Sequence, residues 1–259
     1  MNALLALAGV IAAGGLGYWL GLRRQRVESL RLVARAASLE AFASGVLAST
    51  ERERAAIARE MHDQLGGIFV ASKMDLDLIG RRMPAEDETA TAKLAQVSAS
   101  LDAGLAFKRS LVERLHPSIL DNLGLYAALQ WRLSEMCAAA GRECTARVPD
   151  GDPGFAADAA IAVYRIGEQV MSRALASNET TLLELDANTR ADELYLVFTD
   201  DGGSSADALA PPLDGAWLAT LTFRTESLGG SCSAERRPDG GTRISIRFPL
   251  SQLRASGAG

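Results

Sequence analysis

Glu51-Arg-Glu-Arg-Ala-Ala-Ile-Ala-Arg-Glu-Met-His-Asp-Gln-Leu-Gly66 is the stretch whose reading decides the fold. It lies inside Thr50 to Met83, a run without proline that reads as one helix. Ile57, Met61, Leu65, Ile68 and Ser72 recur at steps of three and four, so they form one stripe. His62 stands beside that stripe, half exposed, with Asp63 directly after it. Thr50 and Glu53 have the spacing of a capping box, although the helix can equally run in from upstream.

This run resembles the phosphoacceptor helix of the nitrate-sensor-like class of bacterial sensor histidine kinases. The resemblance implies a helical hairpin over residues 50–115 that pairs with a second copy into a dimeric four-helix bundle. It also implies that His62 carries a phosphoryl group, while Asp63 orients the ring and takes up its proton. The residue types suit that chemistry. A neutral imidazole is a nucleophile near pH 7, because its unperturbed pKa is about 6.5. A neighbouring carboxylate can fix the tautomer and stabilise the cation that forms. In the family's phosphatase variants a glutamine stands five residues after the histidine. Here that position is Gly67, and Gln64 is out of register, so dephosphorylation of a partner by that route is not expected.

Outward from this helix, residues 3–22 are apolar and uncharged. About 20 residues make about 30 Å of helix, the thickness of a bilayer core. Tyr18 and Trp19 sit at the far end, and Arg23, Arg24 and Arg26 follow. A single transmembrane helix is expected, anchoring the chain in the inner membrane with its body in the cytoplasm. A cleaved signal peptide is the weaker alternative, because no basic segment precedes the apolar run. Residues 23–49 continue as a connecting helix, with Leu30, Val33, Ala37, Leu39 and Phe42 in a heptad-like stripe that suits a short coiled coil.

Downstream, Pro84 and its acidic neighbours break the helix. A second bundle helix follows from Thr89 to Leu115, with Leu94, Val97, Leu101, Leu105, Leu111 and Leu115 as core candidates. His116 precedes Pro117 at a junction where the family usually has arginine, and it reads as a junction residue. Beyond it the pattern is α+β. Helices are expected near 125–140, 156–177 and 216–228, and strands near 143–148, 181–187, 193–199, 231–236 and 242–248. Tyr164-Arg-Ile, Phe198-Thr-Asp-Asp-Gly202 and Gly240-Gly-Thr-Arg-Ile resemble the kinases' ATP-binding domain. That implies a GHKL-type mixed sheet covered by helices over residues 116–250, with 251–259 as a flexible tail.

The resemblance fails where magnesium and phosphate would be held. The family's magnesium-binding asparagine falls on Arg173, and a guanidinium has only donors. A family glutamate falls on Gln169, a motif glycine on Ser204, and a phosphate-turn glycine on Trp217. Asp200, the adenine acceptor by resemblance, and Gly202 remain. The expectation is a histidine-kinase homologue with an intact phosphoacceptor and an impaired ATP site. Its partner is a response-regulator receiver domain. Mg-ATP is its cofactor only if the ordinary kinase alternative holds, and a non-catalytic scaffold is the third reading. No metal site is expected from protein ligands. Net charge is −5 over 259 residues, which gives no basic surface for nucleic acid. Cys137, Cys144 and Cys232 lack metal-ligand spacing.

Overall fold

The structure is a computed structural model that describes residues 2–84, 87–151, 154–202 and 215–254. In the first helix, side chains are described from residue 41 onward and at Arg35, Ser38 and Leu39. The expected membrane span, residues 3–22, therefore lies outside the described side chains. Among the described residues no helix is long and apolar enough to cross a membrane.

The chain divides into two compact units, Met1–Leu47 and Ala48–Gly259. The first unit is helical throughout its described part, with Leu39 and Phe42 of the expected coiled-coil stripe exposed. The second unit opens on the remainder of helix α1 (Asn2–Arg82), which turns at Pro84 into α2 (Glu88–Leu115). The Asp87 carboxylate caps α2 by accepting from the Ala90 amide at 2.9 Å. Lys73 and Asp102 pair across the hairpin at 2.5 Å.

One hairpin buries only part of the predicted stripe. Ala58, Met61, Leu65, Phe69, Ser72 and Leu76 face inward or half inward, whereas Ile57 and Ile68 are 41% and 60% exposed. Helix α1 carries two adjacent apolar rows, and periodicity cannot tell which one meets α2. On α2 the row Leu94, Leu101, Leu105, Val112 and Leu115 turns inward, while Val97 stays exposed.

Next come α3 (Ser118–Ala140), β1 (Glu143–Arg147), α4 (Ala157–Leu175), β2 (Leu182–Arg190) and β3 (Glu193–Asp200). The chain then continues through α5 (Gly215–Glu226), β4 (Ser231–Arg236), β5 (Thr242–Pro249) and α6 (Leu250–Leu253). Helix α3 bends at Gly124, whose φ of 81° is open to glycine and costly for other residues. The regular helix expected from residue 125 starts just after that bend. The five strands form one mixed sheet in the order β1-β2-β3-β5-β4, with only the β1–β2 pair parallel. Alternation sets the buried face. Leu183, Leu185 and Ala187 on β2 and Leu194, Leu196 and Phe198 on β3 point into the core. Tyr164, Ile166, Val170 and Met171 of α4 and Leu125, Leu129 and Leu133 of α3 belong to the same cluster.

One boundary needs correction. Residues 251–253, expected as tail, close α6, and Leu253 is fully buried. Its carbonyl accepts from the Ala156 amide at 2.8 Å, tying the C-terminus to the start of α4. A leucine that completes a core has reason to stay ordered.

Candidate functional site

His62 and Asp63 both lie exposed on α1, so the ring is open to a partner. Gln64 donates to Glu60 at 2.9 Å along the same helix, an ordinary one-turn contact. Beneath His62 lies a residue the sequence pattern passed over. Lys108 on α2 is 5% exposed, and its Nζ donates to the His62 main-chain carbonyl at 3.1 Å. Gly66 leaves the room, since a β-carbon there would come within 3.1 Å of that nitrogen.

A second polar cluster joins the base of the hairpin to the sheet domain. Arg165 of α4 reaches the Glu51 carboxylate at 3.1 Å and Glu168 at 2.9 Å. It also donates to the carbonyl of Leu115 at 2.7 Å and to that of Arg114 at 3.4 Å. These are the last carbonyls of α2, which lack partners within the helix. Burial works against the Arg165 charge, but Glu168 and Glu51 outweigh it and hold the pKa above its ordinary value. Glu168 is shared with Arg132 at 2.6 Å, and Glu51 with Arg54 at 3.1 Å. His116, in the link between α2 and α3, pairs through Nε2 with the Asp121 carboxylate at 2.8 Å. That contact agrees with a junction role.

The third cluster lies at the ends of β3 and α4. Asp200 is buried, and its carboxylate accepts from the Gly202 amide at 3.0 Å. Burial pushes its pKa up, against the opposing pull of the Gly202 and Thr242 amides. Gly241 must be glycine here: its φ is +80°, and a β-carbon would stand 2.0 Å from the Asp200 carbonyl oxygen. Asp201 plays a different part. It accepts from the Thr181 and Leu182 amides at 2.8 and 2.9 Å and also contacts the Thr181 hydroxyl, closing the start of β2. Arg173, in the last turn of α4, places its guanidinium over the Trp217 ring of α5, 4.9 Å from the centroid. That is within cation–π range. Gln169, one turn earlier, is half buried, and among the described residues its Oε1 has no hydrogen-bond partner. Ser204 lies outside the described residues. Two cavities of about 290 Å³ open elsewhere, one beside Leu123 and Arg147 and one beside Tyr126 and Phe155. Their linings include none of the predicted site residues.

Residues 53–120 match the HisKA_3 family, described as histidine kinase. Over 201 residues, 76% of this chain and 35% of the relative, the sequence is 23% identical to a sensor protein NarQ homolog of Haemophilus influenzae. Against the nitrate/nitrite sensor protein NarQ of Escherichia coli it is 26% identical over 200 residues, 76% of this chain and 34% of the relative. Against the sensor histidine kinase MctS of Rhizobium johnstonii it is 28% identical over 134 residues, 52% and 29% respectively. The chain thus spans about a third of the length of these curated relatives. Among solved structures, the histidine kinase domain of the Erythrobacter litoralis EL346 blue-light activated histidine kinase covers 72% of this chain. That alignment takes in 95% of the solved chain, with 17% identity and a TM-score of 0.44.

Proposed function

We propose that this chain, a nitrate-sensor-like sensor histidine kinase homologue, works mainly as a phosphotransfer member of a two-component pathway. In this reading a membrane-anchored dimer presents His62 to the receiver domain of a response regulator. The neutral imidazole attacks the phosphorus of an aspartyl phosphate. The acyl P–O bond breaks, the receiver's carboxylate is restored, and an N–P bond forms. Asp63, adjacent on the exposed helix surface, takes the proton from the other ring nitrogen. Transfer to another receiver reverses these steps.

The observation that carries this reading is the stacking of Arg173 on Trp217. The class resemblance puts a magnesium ligand at one of these positions and a bare phosphate turn at the other. A guanidinium has five donors and no acceptor, so it cannot join the oxygen shell that magnesium requires. The indole supports that guanidinium and adds bulk at the turn. These residues do not fit a magnesium-held triphosphate. Asp200 and Gly202 favour a second, weaker reading, an ordinary kinase that labels His62 from Mg-ATP, because the buried carboxylate and its amide contact persist.

The span at 3–22 is the proposed anchor, with Arg23, Arg24 and Arg26 on the cytoplasmic side. Exposed Ile57, Ile68, Val70 and Met74 supply the apolar surface that a second hairpin would cover. The deciding experiment incubates the full chain with labelled Mg-ATP or with a phosphorylated receiver domain, using His62→Ala as the blank. Label on His62 from the receiver alone supports phosphotransfer. Rapid magnesium-dependent label from ATP would overturn it in favour of the kinase reading.

A further inference from the structure

Lys108 is a buried cation that the phosphotransfer chemistry described so far does not use. It occupies the inward row of α2, between Leu105 and Val112, where neighbouring positions carry leucine or valine. Among the described residues no carboxylate lies within 4.0 Å of its ammonium. Burying an ammonium without a counter-charge is costly, and a methionine or leucine would fill the same space at no such cost. The contact it makes instead is with the main-chain carbonyl of His62, in the gap left by Gly66. The charge is therefore held against the backbone of the residue whose ring is proposed to receive a phosphoryl dianion.

We propose that Lys108 is a positioning residue for phosphoryl acceptance, fixing the helix turn that presents His62 and holding a counter-charge for the phosphoryl group placed on it. The proposal rests on the reading of His62 as the phosphoacceptor. In the resting protein the ammonium is satisfied by the His62 carbonyl. Once the ring carries a dianion, the missing negative partner is supplied, and the flexible lysine stem lets the charge follow it. A counter-charge that meets the negative charge of the transferring phosphoryl group speeds its acceptance.

The test uses the full chain and potassium phosphoramidate, a small donor that needs neither a nucleotide site nor a partner. The imidazole nitrogen forms its bond to phosphorus as the donor's P–N bond breaks. Ammonia leaves, and the proton on the other ring nitrogen passes to Asp63 or solvent. Acid-labile label at His62 is followed with time, with His62→Ala as the blank. The ³¹P resonance of the phosphohistidine is then titrated with pH. Lys108→Met is expected to slow labelling roughly tenfold, the effect of one modest electrostatic contact at a half-buried site. It should also move the phosphoryl titration upward by roughly half a unit, which loss of packing alone would not do. Lys108→Arg should recover part of the rate. Gly66→Ala gives an independent arm, because alanine strengthens a helix while its β-carbon crowds the ammonium. It should melt no lower than wild type and still label more slowly. Wild-type rates and an unmoved ³¹P titration in Lys108→Met would overturn the role of Lys108 and leave His62 as the acceptor. If Lys108→Met loses its helical circular dichroism, an undiminished rate in Gly66→Ala overturns it instead. A wild-type chain that takes no label at His62 overturns both readings.

Discussion

Replacing Arg165 by methionine should loosen the contact between the hairpin and the sheet domain without exposing an orphan charge. The guanidinium is 8% exposed and serves Glu51, Glu168 and the carbonyls of Leu115 and Arg114. Removing one partner of a buried ion pair ordinarily costs about 3–5 kcal/mol, chiefly because the other charge is stranded. Here Glu168 keeps Arg132 and Glu51 keeps Arg54, so that component is largely spared. What is lost is the strong bond to Leu115, the weaker one to Arg114, and the bridge itself. Hydrogen bonds to charged groups contribute about 1.5–3 kcal/mol each when well formed. Methionine restores most of the apolar packing, which leaves a net cost of about 2–3 kcal/mol. That predicts amide exchange roughly 30- to 150-fold faster at Leu115, His116 and Leu120, read residue by residue under native conditions. Arg165→Lys should behave almost like Arg165→Met, because an ammonium cannot fork to four acceptors on two sides. A change below about threefold, or full protection with lysine, would refute the bridging role.

Three further outcomes are expected. Burial raises the Asp200 pKa, so its contribution to stability is present below the unfolded carboxylate range and is lost as pH rises through the folded value. Asp200→Asn should therefore melt above wild type at pH 7.5, with the advantage shrinking toward pH 4; calorimetry showing a lower melting point at pH 7.5 would contradict this. Ile68→Glu should leave the hairpin folded, because Ile68 is 60% exposed in the single chain, yet shift the detergent-solubilised full chain to monomer by sedimentation. A mutant dimer as stable as wild type would remove that face from the proposed interface. Trp217→Ala alone should cost about 1–2 kcal/mol in melting experiments from the lost stack and burial, and should not restore Mg-ATP binding, whereas Arg173→Asn with Trp217→Gly should restore part of it by isothermal titration.

Much of the sheet domain was legible because its signals are local. Strands expected near 181–187 and 193–199 coincide with β2 and β3, and the helix expected near 125–140 with the regular part of α3. The hairpin itself was legible from α1, but not which of its apolar rows packs within one copy. Ile57 and Ile68 belong to one apolar row and Ala58 and Phe69 to the adjacent row, and only contact with α2 chooses between them. Lys108 had a readable signal, a lysine in step with Leu101 and Leu105 on one side and Val112 and Leu115 on the other. A search for apolar residues steps over it. The Arg165 bridge had no readable signal, since Glu51 lies 114 residues away and pairing at that distance depends on the tertiary fold.

The departures around the ATP-like pocket take on a different meaning once they are seen together. Read along the chain, Arg173 and Trp217 are two separate losses at two motifs. In the fold they touch, and each makes the other cheaper to keep. A guanidinium placed alone where a metal and phosphates are expected would attract anions and require solvation. An indole placed alone on a helix would leave a large apolar face partly wet. Stacked, the ring gives the cation an aromatic partner, and the cation lies over the ring. Under the proposed reading the pocket has been refilled rather than merely stripped, and single reversions meet an obstacle that the pair does not. The same chain leaves His62 open to solvent and spends a buried lysine beneath it. Under the proposed reading, a filled nucleotide pocket together with an open His62 is what a phosphoryl acceptor, and not a phosphoryl source, would require.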